Sequence, residues 1–246
     1  MQQDSLFEYV MRLSDDSLIL GQRLGEWCGH GPILEEDIAI TNIALDLIGQ
    51  SISLYDFAAE LEAKGRNHDQ LAYLRYENEY KNVLLVEQPN GDFAMTMLRQ
   101  FFFDAFRLPL YEALMQSRVA QLAAIAAKSV KETRYHLKHS SEWVIRLGDG
   151  TEESHRRAQA AIDFLMPYTQ EFWSEWPSAQ AVLGDTTVLL SAWQTTVHEV
   201  LTQAGLQLPP SDGYVTQGRA GIHTEHMSYL LAEMQSLARQ HPGATW

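Results

Sequence analysis

The chain has 246 residues, of which 46% are apolar and 20% are charged, which is typical of a globular protein with a sizeable core and excludes a disordered chain. Its 18 basic and 32 acidic residues give a formal charge of −14, which disfavours binding to nucleic acid or to anionic membranes. One cysteine, Cys28, excludes an intrachain disulfide and any cysteine cluster for zinc or iron–sulfur groups. We expect one domain over residues 1–246.

The sequence shows no sign of membrane targeting. The first residues include early acids and lack the basic start and apolar run of a signal peptide. No uninterrupted apolar run approaches the roughly 20 residues that a membrane helix needs. We therefore expect a soluble, cytoplasmic protein.

Apolar residues recur every three to four positions along most of the chain, which predicts helices and no strands. The predicted helices cover residues 4–27, 34–64, 71–88, 93–115 with a kink or break at Pro109, 121–148, 151–173 with an interruption near Pro167, 186–203 and 222–240. The helix at 34–64 is apolar on nearly every side, so we expect it to be central. Residues 205–221 form the one long irregular stretch. Several helices of this length predict an all-α, antiparallel helical bundle.

A carboxylate and an imidazole lie in the apolar stripe of the helix at 121–148. Glu132 and His136 follow Leu122 and Ser129 at helical spacing, so both are predicted to point into the core. Burying either group without a partner costs roughly several kcal/mol. Each therefore needs a hydrogen bond, an ion pair or a metal.

A di-iron or di-manganese centre in a helical bundle needs Glu-x-x-His pairs, because residues three apart stand side by side on a helix. The chain has no intact pair: the third residue after Asp46 is a glycine, after Glu132 a tyrosine and after Glu225 a serine. Glu132 and His136 could still hold one metal ion in another type of site, or form a buried hydrogen-bonded pair. His226 is more typical of a core histidine, and Asp46 of a polar seam between helices.

Long stretches of the chain resemble the C-subunit family of bacterial ring 1,2-phenylacetyl-CoA epoxidases, multicomponent monooxygenases of aerobic phenylacetate breakdown. The resemblance covers almost the full length. The stretches that carry it are RLGEWCGHGP at 23–32, NIALDLIGQ at 42–50, LLVEQPNGDFA at 84–94, KETRYHLKHS at 131–140 and GIHTEHMSYLLAEMQSL at 221–237, with the final PG and Trp246.

The resemblance implies a ferritin-like bundle with additional C-terminal helices. It also implies a non-catalytic role, because in that family the A subunit holds the di-iron centre and the C subunit pairs with it and supports it. A reductase subunit and a small accessory subunit belong to the same assembly, whose substrates are phenylacetyl-CoA, NADPH and oxygen. No catalytic residue, metal ligand or cofactor is then expected in this chain.

Two other functions remain open at this point. One is an atypical metal-dependent oxidoreductase that uses Glu132, His136, Glu225 and His226, with Asp46 as a further ligand if the chain holds a metal. The other is an acyl-CoA binding module formed by the polar seam around Asp46 and by the irregular stretch 205–221. The acidic net charge weighs against the second, because CoA is strongly anionic.

Overall fold

The computed structural model describes residues 3–173, 177–184, 186–210, 217–242 and 244, and every regular element in these ranges is a helix. This confirms the all-α prediction. Three 3-10 helices cover Glu77–Glu79, Met166–Trp173 and Gly218–Ala220. The α-helices of the described residues are α1 (Gln3–Gly25), α2 (Leu34–Glu62), α3 (His68–Tyr73), α4 (Leu84–Glu87), α5 (Phe93–Leu114), α6 (Ala120–Gly148), α7 (Glu152–Leu165), α8 (Pro177–Leu183), α9 (Thr187–Gln203) and α10 (Glu225–Gln240).

The chain divides into two compact units. The first unit combines Met1–Pro89 with Gln217–Trp246, and the second is Asn90–Thr216. Helices α1 to α4 and α10 therefore belong to the first unit, and α5 to α9 belong to the second. A single domain over residues 1–246 stays a prediction.

In the first unit α1 is the central helix, and α2, α4 and α10 pack on it. All residues from Tyr9 to Gly21 are buried. Helix α2 runs antiparallel to α1, because Asp15 meets Tyr55 near the end of α2 whereas Gly21 lies against Ala44 in its first half.

The prediction that α2 is the central helix is wrong. Its inner face is buried, but Leu34, Ile38, Leu45 and Ile52 are exposed along the other side. Helix α1 takes the central place despite its more polar sequence, because its acids find hydrogen-bond donors inside the unit.

In the second unit the central helix is α5, which packs against α6, α7 and α9. All residues from Thr96 to Arg107 are buried. Asp92 caps the helix, since its side chain accepts a 2.9 Å hydrogen bond from the backbone N–H of Met95. Pro109 lies inside α5 and does not divide it.

The predicted helix at 71–88 is wrong. The stretch holds the end of α3, a 3-10 turn and the four residues of α4, with extended backbone between them. The backbone N–H groups of Lys81 and Val83 donate to the carboxylates of Asp15 and Asp16, at 2.7 and 2.9 Å. These long-range bonds replace the local ones that a helix would make.

The start of α10, the end of α7 and the stretch 205–221 can also be compared with the sequence prediction. Helix α10 begins at Glu225 rather than at residue 222, because the residues before it bind a buried carboxylate. Helix α7 gives way to a 3-10 helix near Pro167, as predicted. Part of the irregular stretch 205–221, residues 211–216, lies outside the described residues, and the described part contains a short 3-10 helix.

Helix α2 also has the length and composition of a membrane-spanning helix, with a hydropathy of 1.3 over an 18-residue window, of which 44% is buried in the molecule. Core helices of soluble proteins meet the same criterion. This observation is weak evidence for a membrane span.

Candidate functional site

Of the pair Glu132 and His136 predicted to lie in the core, only His136 is fully inside it. His136 is fully buried, whereas Glu132 is partly exposed. Full burial is therefore found for His136, whereas Glu132 is only partly buried. The helix is turned slightly from the predicted face, so that Thr133, His136 and Ser140 are its innermost residues in this region.

The other predicted ligands belong to the first unit, whereas Glu132 and His136 belong to the second. Asp46 and His226 are partly buried, and Glu225 is exposed at the start of α10. Among the described residues, no three His, Cys, Asp or Glu side chains are grouped so that they could hold a metal ion. The structure does not bring these five residues together as a ligand set.

The buried residue that contacts the inner face of α6 is Asp104 on α5, through Ser140. Its Oδ1 accepts a 2.7 Å bond from Gln100 Nε2, and its Oδ2 accepts a 3.0 Å bond from Ser140 Oγ. Burial raises the pKa of Asp104 to about 7, against the opposing effects of His136 and of the two hydrogen bonds. The carboxyl group therefore exchanges its proton near neutral pH, inside the contact between α5 and α6.

Asp15 in the centre of α1 binds Arg75 with both carboxylate oxygens. Arg75 Nη1 donates to Oδ2 at 3.1 Å, and its Nη2 donates to Oδ1. The hydroxyl of Tyr55 donates to Oδ1 at 2.6 Å, and the backbone N–H of Lys81 donates to Oδ2 at 2.7 Å. Asp15 thus joins α1 to α2 and to the segment that follows α3.

Asp16, the next residue, has an equivalent partner from the other end of the chain. Arg219 donates to its Oδ1 and Oδ2 at 3.0 and 2.9 Å, in the bidentate geometry typical of strong arginine–carboxylate pairs. The backbone N–H of Val83 donates to Oδ1 at 2.9 Å. Both acids and both arginines are buried.

A third buried carboxylate of the first unit, Glu87 at the end of α4, binds the residues that precede α10. Its Oε1 accepts from the backbone N–H and the hydroxyl of Thr224, both at 2.7 Å. Its Oε2 accepts from Asn82 at 2.9 Å and lies 2.7 Å from Nδ1 of His223.

The other ring nitrogen of His223, Nε2, lies 3.0 Å from the carbonyl oxygen of Tyr80. Both nitrogens face acceptors, so both carry protons and the ring is an imidazolium. Burial alone would lower the pKa of His223, but the hydrogen bond to Glu87 and its charge outweigh burial and raise the pKa above its ordinary value.

The sequence analysis did not single out these buried groups. The available signal was the pair Asp15 and Asp16 between two serines, which are themselves flanked by Leu13 and Leu18. No local pattern indicated their partners, because Arg75 and Arg219 lie 60 and 203 residues further along the chain.

These carboxylates do not fit a di-iron or di-manganese centre. Such a centre needs carboxylate oxygens directed at the metals and no competing cation beside them. Here Asp15 and Asp16 each bind a guanidinium, and Glu87 faces an imidazolium. The arrangement instead has the chemistry of a structural ion-pair network, in which each buried charge is matched.

A shallow groove of about 290 Å³ lies within the first unit, between the 3-10 turn at Glu77–Glu79 and α10. None of the predicted ligands lines it, nor does the polar seam around Asp46. The lining residues are Tyr76, Glu77, Ser228, Leu231, Ala232, Gln235, Ser236 and Arg239.

Comparison with known proteins adds family information to this geometry. A family model described as phenylacetic acid catabolic protein matches residues 1–246. The chain is also 46% identical, over 248 aligned residues, to the C subunit of the 1,2-phenylacetyl-CoA epoxidase of Escherichia coli (strain K12). The alignment covers 99% of this chain and 100% of that relative. These matches confirm the resemblance found in the sequence.

Proposed function

Because the chain belongs to the phenylacetic acid catabolic protein family, we propose that it is the non-catalytic structural subunit of a 1,2-phenylacetyl-CoA epoxidase. The family and the helices of the structure confirm the predicted all-α, ferritin-like fold. In the proposed role the chain pairs with a di-iron catalytic subunit in the cytoplasm and stabilises it. The same assembly also contains a reductase and a small accessory subunit.

The observation that carries the proposal is the use of the buried carboxylates. Asp15 and Asp16 in the central helix of the first unit, and Glu87 beside it, are each matched by a cation of this chain. A catalytic ferritin-like subunit needs such inward carboxylates for its metals. Here they stabilise the fold, which suits a subunit whose task is to present a well-formed helical surface to its partner.

The test is reconstitution of the epoxidase from separately purified components. We expect the catalytic subunit with the reductase and the accessory subunit to have little activity, and addition of this chain to restore it. The physical reason is that permanent interfaces in hetero-oligomers bury large apolar surfaces, which make an isolated subunit poorly soluble or misfolded. Full activity with this chain omitted would overturn the proposal.

A control separates a structural role from a metal-dependent one. The double variant Glu132→Gln and His136→Gln removes the two residues that the oxidoreductase hypothesis requires on α6. We expect the folded variant to restore activity as well as the unaltered chain does. Loss of activity with unchanged folding and unchanged pairing would favour the oxidoreductase hypothesis.

A further inference from the structure

The outer side of α2 carries a row of exposed apolar residues that is interrupted by the polar Asn42. Leu34 is 72% exposed, Ile38 52%, Leu45 60% and Ile52 40%. Asn42 and Gly49 occupy the positions between them at helical spacing. We call the row formed by Leu34, Ile38, Leu45, Gly49 and Ile52 the α2 face.

The α2 face differs from the isolated apolar residues found on most protein surfaces. Single exposed apolar residues are normal, but several apolar residues exposed in one row along a helix are typical of an interaction site. The opposite side of the same helix is already packed on α1, with Ile40, Ile43, Leu47 and Leu54 buried. The helix is therefore apolar on both sides, as a helix between two packing partners is.

We propose that the α2 face is the surface on which the catalytic subunit packs one of its helices, an inference that rests on the proposed function. A Cβ atom placed on Gly49 would have no atom within 4 Å. This glycine leaves a notch between Leu45 and Ile52, into which a partner side chain fits as a ridge fits a groove.

The negative charge of α2 indicates which kind of partner helix fits the α2 face. Helix α2 contains seven acidic residues and no lysine or arginine, and the whole chain has a formal charge of −14. Asp56 and Glu60 continue the exposed row beyond Ile52. The complementary partner is a helix with an apolar stripe bordered by lysine and arginine. A second copy of this chain would place acids opposite acids, which disfavours a homodimer through the α2 face.

Two substitutions test the α2 face without disturbing the fold. Leu45→Glu puts a charge at an exposed position in the middle of the row. Gly49→Leu fills the notch while keeping it apolar, and leucine is a better helix former than glycine. Val188→Glu on α9 is the matched control, because Val188 is a similarly exposed apolar residue at 70%.

The measurement is the Kd of each full-length variant for the purified catalytic subunit, at low and at high salt. We expect both α2 variants to bind about tenfold or more weakly, as loss of an interface anchor does, and the control to bind like the unaltered chain. We also expect high salt to weaken binding of the unaltered chain.

The outcomes separate this inference from the proposed function. If the unaltered chain binds and both α2 variants bind equally well, the α2 face is not the docking surface, but the proposed pairing stands. If the unaltered chain does not bind the catalytic subunit, both are overturned. Sedimentation analysis that shows a homodimer, dispersed by Leu45→Glu, would assign the α2 face to a second copy and overturn the inference.

Discussion

The protonated side chain of His223 links the residues before α10 to α4. Its imidazolium lies between the carboxylate of Glu87 and the carbonyl of Tyr80, and Thr224 binds the same carboxylate. These bonds attach the start of α10 to α4. Since residues 222–224 just before α10 have no regular secondary structure, this attachment fixes where the last helix begins.

The raised pKa of His223 predicts a pH dependence of stability. Its contribution is fully present below the ordinary histidine pKa of 6.5 and is lost as the pH rises through the higher folded-state pKa. We expect His223→Gln to lower the free energy of unfolding at acidic pH and to reduce its fall toward alkaline pH. Urea unfolding across that pH range measures both effects. His226→Gln, the same change three residues later, is the control, and an unchanged pH profile in His223→Gln would contradict this account.

Asp104 gives a second pH-dependent prediction, in the other unit. Because its pKa rises from 3.8 to about 7 on folding, the folded state holds its proton more tightly than the unfolded state. The free energy of unfolding should therefore fall as the pH rises from about 4 to about 7. We expect Asp104→Asn to remove this fall while keeping an acceptor for Gln100. The exposed substitution Asp163→Asn is the control, and a profile that stays as steep in Asp104→Asn as in the unaltered chain would count against a raised pKa.

At the scale of elements, the ends of α6 and α9 meet at a backbone contact that only glycine permits. A Cβ atom on Gly148, the last residue of α6, would lie 2.3 Å from the carbonyl oxygen of Ala204, just after α9. Backbone atoms cannot move aside as a flexible side chain can. The close packing of these two helix ends therefore requires glycine at position 148.

We expect Gly148→Ala to destabilise the protein by about 1–3 kcal/mol through overpacking. Gly25→Ala is the matched control, because Gly25 also ends a helix but its Cβ would meet nothing within 4 Å. That control should be neutral or slightly stabilising, since alanine is the better helix former. Midpoints of chemical unfolding compare the two variants. Equal midpoints would mean that the two helix ends separate at little cost.

At the scale of the whole molecule, metal content distinguishes a supporting subunit from a catalytic one. We expect the chain expressed alone in iron-supplied cells to contain no stoichiometric iron, zinc or manganese by mass spectrometry. The reason is that the buried carboxylates of Asp15, Asp16 and Glu87 are matched by arginine and histidine. Its complex with the catalytic subunit should contain iron. Stoichiometric iron in the folded chain alone would make Glu132 and His136 the first ligands to substitute.

Local patterns predicted a large part of the fold. The 3.6-residue periodicity located most of the long helices, including the start of α5 at Phe93. The stretch 71–88 shows the limit of prediction from periodicity. Its apolar residues have helical spacing, but its backbone N–H groups donate to Asp15 and Asp16 instead of forming a helix. Those acids lie more than 60 residues earlier in the chain. Periodicity within a window contains no information about such distant acceptors.

The sequence by itself determined the helical class, most helix positions, the family and the failure of the Glu-x-x-His spacing. Only the tertiary structure decided which helix is central. By composition α2 looked more buried than α1, but Arg75 and Arg219 match the acids of α1 and make its burial possible. Helix α2 is left with an apolar outer side. The physical reason is that burial of a charge depends on where its partner lies in space, whereas hydropathy counts each residue alone.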